Sequence, residues 1–98
     1  MNAKFGIYKD CKSNETTKVY ECKRLLFGVS KKALAIYSNL KESEDLDEQI
    51  EAIVDIIQTI FPDFEREEIN YVDPNELIAF VQEIVQATNA ELHRSQKN

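Results

Sequence analysis

The sequence is poor in glycine, proline, histidine and cysteine: two, two, one and two residues in a chain of 98. With only Gly6 and Gly28, neither a phosphate-cradling loop nor a dinucleotide fingerprint can be assembled. The lone histidine, His93, is far in sequence from Cys11 and Cys22, so nothing sets up a cysteine–histidine nucleophile. No Cys/His cluster has zinc spacing, and no acidic run carries the central glycine of an EF-hand loop. No metal or cofactor is expected, and the chain does not read as an enzyme. Without a signal peptide, the cysteines read as reduced thiols: Cys11 at the surface of a turn, Cys22 as a small packing residue. No apolar run approaches the ~18 residues of a membrane span, and no signal-peptide apolar region opens the chain. A cytoplasmic protein without a membrane partner is therefore expected.

What the chain does have is ordinary globular bulk, 43% hydrophobic and 31% charged, with a net charge of −6. That charge is divided unevenly. Residues 1–41 hold nine basic residues (Lys4, Lys9, Lys12, Lys18, Lys23, Arg24, Lys31, Lys32, Lys41) against Asp10, Glu15 and Glu21, a balance of +6. Residues 42–98 hold Arg66, Arg94 and Lys97 against fifteen acids, a balance of −12. Such a split allows head-to-tail self-association into a homo-oligomer, or an acidic face offered to a basic partner. Lys23, Arg24, Lys31 and Lys32, near Tyr20 and Phe27, are the nearest approach to a nucleic-acid surface. An isoelectric point near 4.8 and the −12 half argue against a nucleic-acid partner. Glu42, Glu44, Asp45, Asp47 and Glu48 cluster at a helix start, where acids complement the helix dipole and cap free N–H groups. That reading is preferred to a cation site.

Local patterning predicts two strands, about residues 3–9 and 17–24, forming an antiparallel hairpin with a long polar loop. Ser30 is expected to cap a helix carrying Ala33, Ile36, Tyr37 and Leu40, with Val29 stapled onto Leu34. After a polar linker over residues 41–45, Asp45 and Glu48 are expected to form a capping box. The helix they open has the apolar stripe Ile50, Ile53, Val54, Ile57, Ile60 and Phe61, widened by Ile56. Pro62 ends it. Asp63 is expected to open a short helix over residues 64–71. The run Asp73–Pro74–Asn75–Glu76 is a strong helix start, with Asp as cap, Pro at the first position and Glu76 reaching back. Its helix carries Leu77, Ile78, Phe80, Val81, Ile84 and Val85 and is expected to end near Leu92. The fold class is mainly α (α+β): an N-terminal β-hairpin followed by three to four packed helices in one domain. Residues 1–27 form the hairpin region, 28–93 the helical region and 94–98 a polar tail.

Phe5, Tyr8, Phe27, Tyr37, Phe61, Phe64, Tyr71 and Phe80 are many large rings for so small a core. Those left at the surface would mark a partner site. Phe27, Val29, Tyr37, Phe64 and Tyr71, at the edges of elements, are the candidate protein-binding residues. The gap between the Ile50–Phe61 and Leu77–Val85 stripes and the hairpin is the expected groove for a partner helix.

In order along the chain, KFGIYKD, FGVSKKALAI, EQIEAIVDIIQTIF and FEREEINYVDPNELIAFVQEIV resemble the tail assembly chaperones of long, non-contractile-tailed bacteriophages and related prophages. The resemblance spans nearly the whole chain and rests on packing residues. It implies a small, mostly helical protein of the bacterial host cytoplasm, absent from the finished virion. Such a protein would coat the tape measure protein, keep it soluble and help recruit tail tube subunits. It also implies that this chain is the shorter of two products related by ribosomal frameshifting. From the residues alone, a small acidic adaptor that sequesters a basic partner stands beside that reading.

Overall fold

The computed structural model describes residues 2–96, with side chains through residue 90. Two strands, β1 (Ala3–Tyr8) and β2 (Thr16–Cys22), are followed by helices α1 (Phe27–Glu42), α2 (Leu46–Ile60), the 3₁₀ helix α3 (Arg66–Tyr71) and α4 (Pro74–Gln96). This is the expected hairpin with four packed helices.

Alternation builds the hairpin. Ala3, Phe5 and Ile7 on β1, and Tyr20 and Cys22 on β2, point to one face and are buried. The antiparallel register places Phe5 opposite Tyr20 and Gly6 opposite Val19, with a bulge between Ile7 and Tyr8. A Cβ at Gly6 would stand 2.5 Å from Thr16 Cγ2, so any larger residue there displaces Thr16. In the connecting loop, Asp10 Oδ1 accepts from the Lys12 and Ser13 N–H groups at 2.9 and 2.8 Å. That turn is made by the polar DCKSNET stretch itself.

An isolated two-stranded sheet is marginal in water, so its apolar face needs a partner. Here that partner is a knot of aromatic rings. The Phe5 centroid lies 5.0 Å from Phe80, 5.4 Å from Tyr20 and 6.0 Å from both Phe61 and Phe64. Ile56, Ile57, Leu77, Val81 and Ile84 complete the core around it. On α2 the buried set Val54, Ile56 and Ile57 is wider than one stripe, as Ile56 predicts.

Several local expectations give way to tertiary bonds. Helix α1 starts at Phe27, three residues before Ser30, with no side-chain cap at Leu26. Ser30 is buried, and its hydroxyl donates to the Phe27 carbonyl at 3.0 Å rather than capping anything. Burying the small pair Ser30 and Ala33 on one face lets α1 lie close to its neighbours, and the helix start shifts to permit it. Asp45 does cap α2, accepting from the Asp47 N–H at 2.8 Å. Glu48, however, accepts from the Ser43 hydroxyl instead of closing a capping box. The short helix is 3₁₀ and begins at Arg66, because Phe64 is drawn into the core and the chain from Phe61 turns to bring it there. Glu65, not Asp63, stands at its N-terminus, with its N–H donating to Glu68 Oε1 at 2.9 Å. Asp73 caps α4 through the Asn75 N–H at 2.8 Å, while Glu76 reaches across to β1. Helix α4 continues past Leu92 to Gln96, since no glycine or proline interrupts it. The side chains of Leu92 and His93, and the end of the tail at residues 97–98, lie outside the described residues.

Candidate functional site

Two carboxylates fasten the hairpin to the helices. Glu76, in the first turn of α4, accepts from the Gly6 N–H at 3.1 Å and from the Tyr8 hydroxyl. Glu68, on α3, accepts from the Tyr20 hydroxyl at 2.6 Å and lies 3.8 Å from Lys18 Nζ. The Lys18 ammonium also sits 4.6 Å from the Tyr20 ring centroid. Burial alone would raise the Glu68 pKa, but the Tyr20 hydroxyl, the Glu65 N–H and Lys18 outweigh it and hold the carboxyl below its ordinary value of 4.5. Tyr8 is raised above 10.0 chiefly by its bond to Glu76, and Tyr20 by burial and then by Glu68.

The pH dependence of stability follows from these shifts. A lowered Glu68 contributes stability that is complete above 4.5 and lost as pH falls through its folded value. Raised tyrosines contribute stability that is complete below 10.0 and lost as pH rises through theirs. Urea midpoints measured across pH are expected to show a plateau bounded on both sides. In Tyr20→Phe the alkaline loss shrinks.

These groups fasten the hairpin to the helices. Among the described residues no group of three or more His, Cys, Asp or Glu side chains is placed to hold a metal ion. Cys11 is exposed and Cys22 buried, both free. Burial raises the Cys22 thiol, which donates to the Arg24 carbonyl at 3.3 Å.

The open concave surface lies between α1 and α2. It consists of two depressions of about 670 and 430 Å³ that share Ile36 and Asp55. One wall is the α1 stripe Val29, Lys32, Ile36, Asn39 and Leu40, and the other is the α2 stripe Asp47, Glu48, Glu51, Ala52, Asp55 and Thr59. Apart from the adjacent pairs 39–40, 47–48 and 51–52, these positions recur every three or four residues, so each wall is one helix face. Its apolar floor is flanked by four carboxylates. Glu51 is engaged by Arg66 and Glu48 by Ser43, whereas Asp47 and Asp55 make no ion pair among the described residues. The groove expected between the α2 and α4 stripes is absent. Side chains from both stripes instead fill that space as one core cluster with the hairpin, and the elements α4 packs against are β1 and α1.

The candidate contact residues divide accordingly. Phe27, 65% exposed, and Val29, half-buried, occupy the first turn of α1, and of the two only Val29 lines the trough. Tyr37 is half-buried against the core, with the Lys41 ammonium 5.0 Å from its ring. Tyr71, 53% exposed, stands apart at the end of α3. Phe64 is 2% exposed and fully committed to the core, so it cannot present its ring to a partner. Sequence reasoning missed Leu26, Leu46 and Ile50 as exposed apolar residues. Leu46 and Ile50 are four apart and continue the α2 stripe past its buried portion, a signal visible only once the core boundary is known.

No protein-family model matches the chain, and neither a characterised protein nor a solved structure matches it. No helix among the described residues is long and apolar enough to cross a membrane.

Proposed function

We propose that the protein is a phage tail assembly chaperone that binds the tape measure protein, keeps it soluble and helps recruit tail tube subunits in the host cytoplasm. The observation that carries this reading is the α1–α2 trough. Its apolar residues on α1, Val29, Ile36 and Leu40, span about 17 Å beside an acidic rail, and no group of metal-ligating side chains stands among the described residues. A long protein rich in amphipathic helices exposes apolar stripes before it assembles, and a trough of this length takes three to four turns of such a helix. The charged rail keeps the complex soluble and the contact reversible. The sequence resemblance supports the same role. The work is binding, with no chemical step.

Co-expression is the test. With this chain present, the tape measure protein is expected to move from the insoluble fraction into a soluble complex. Leu40→Lys, which puts an ammonium on the trough floor, is expected to abolish that rescue. Asp55→Lys is expected to weaken binding severalfold while leaving the thermal melt close to wild type, since Asp55 is exposed and lies beyond the first turn of α2. A tape measure protein that stays insoluble beside abundant wild-type chain refutes the proposal. The rail also favours a second reading, an acidic adaptor for a basic protein. That reading predicts binding that collapses steeply with salt and survives Leu40→Lys.

A further inference from the structure

The charges of the α1–α2 trough are graded along its length and lie mostly on one wall. The depression beside the start of α1 is lined by one carboxylate, Asp55, and one cation, Lys32. The depression beside the start of α2 is lined by Asp47, Glu48, Glu51 and Asp55, with no cation among its lining residues. Arg66, which does not line the trough, compensates Glu51. The Ser43 hydroxyl gives Glu48 a hydrogen bond but no charge, and Asp47 and Asp55 have no ion pair among the described residues. Asp47, Glu51 and Asp55 stand one turn apart, a row about 12 Å long on one face of α2. On the α1 wall, Ile36 and Leu40 are also one turn apart, and both are half-buried.

Any occupant of this surface takes water from those carboxylates, and a carboxylate stripped of water without a counter-charge is costly. A neutral or acidic helix incurs that cost, whereas a helix with cations beside its apolar stripe offsets it. We propose that the trough takes a basic amphipathic helix of about three turns, its apolar stripe on Val29, Ile36 and Leu40 and its lysines or arginines, one turn apart, on the flank facing α2. The cations are needed at the end over the start of α2. At the other end Lys32 already answers Asp55. This inference rests on the trough being the client site, and adds the charge pattern of the segment bound there. It differs from capture of any basic protein, because stripe and cations must lie on adjacent flanks of one helix.

The test uses the whole chain and stapled helical peptides of about four turns in three arrangements. The first has leucines at three- and four-residue spacing with two lysines beside the stripe. The second has the same composition, with the lysines moved to the face opposite the stripe. The third is the first with glutamates in place of the lysines. Calorimetry is expected to find the first bound about tenfold tighter than the second, and the third not bound. Amide shifts caused by the first are expected at Ile36, Leu40, Ala52 and Asp55. Asp55→Lys is expected to weaken the first severalfold and leave the second unchanged. Equal affinity for the two lysine isomers overturns the proposal, and so does binding seated away from those amides. A second copy that covers the trough in sedimentation and is not displaced by the first peptide also overturns it. A chain that solubilises the tape measure protein yet ranks the isomers alike keeps the chaperone reading and overturns this one. A chain that prefers the first isomer yet leaves the tape measure protein insoluble does the reverse.

Discussion

Phe5→Ala is expected to cost about 3–5 kcal/mol, the largest loss of any single core truncation here. No other ring in the core has as many aromatic neighbours. Its centroid lies within 6.0 Å of Tyr20, Phe61, Phe64 and Phe80, which come from β2, the end of α2, the turn before α3, and α4. Truncation removes the buried ring surface and leaves a cavity that those rings cannot collapse into, because Phe64 and Phe80 are themselves pinned and almost fully buried. A domain of this size holds only about 5–15 kcal/mol in reserve, so the loss is a large fraction of the whole. Thermal or urea melts read it directly. A drop under about 1 kcal/mol would mean that the hairpin is not seated on the aromatic cluster.

Glu76→Ala is the second large effect, and it comes from a single turn of helix. Gly6 is buried, and its N–H has no acceptor other than Glu76 once it faces away from β2. Leaving that donor unpaired costs about 1–3 kcal/mol, or a fall in Tm of roughly 5–15 °C. The Tyr8 hydroxyl loses its acceptor in the same variant. Glu76→Gln keeps an oxygen in place and is expected to recover part of the loss. The sharper readout is amide exchange at Gly6, which accelerates selectively in Glu76→Ala and stays slow in Glu76→Gln. Uniform acceleration across β1 would instead mean that the whole strand depends on this carboxylate.

What could be read from the residues, and what could not, divides along the range of the interactions. The hairpin was legible because Phe5, Ile7, Tyr20 and Cys22 alternate, and α2 because Asp45, its apolar stripe and Pro62 are local signals. The start of α1 was not, because Ser30 looks like a cap until the need to bury it beside Ala33 is known. Glu76 looked like half of a local capping motif, yet its partners are 68 and 70 residues away. Phe64 reads as an edge residue because it opens the predicted short helix rather than sitting mid-stripe. The turn after Pro62 carries it inward. Of the residues lining the trough, Val29 stands out in the sequence by its place at an element boundary, while Ile36, Leu40, Asp47 and Asp55 do not. They become a trough only when α1 and α2 lie side by side, a pairing that neither helix announces by itself.

The clasp between β1 and α4 also dictates an order of events during synthesis. The Gly6 N–H meets its acceptor only after seventy more residues have emerged from the ribosome. Until then the hairpin can close its own turn, but its aromatic face has no Phe80 to sit on. The nascent protein carries that greasy ribbon uncovered until α4 emerges, so completion of α4, rather than of the hairpin, is the moment at which its aromatic face is shielded from its neighbours.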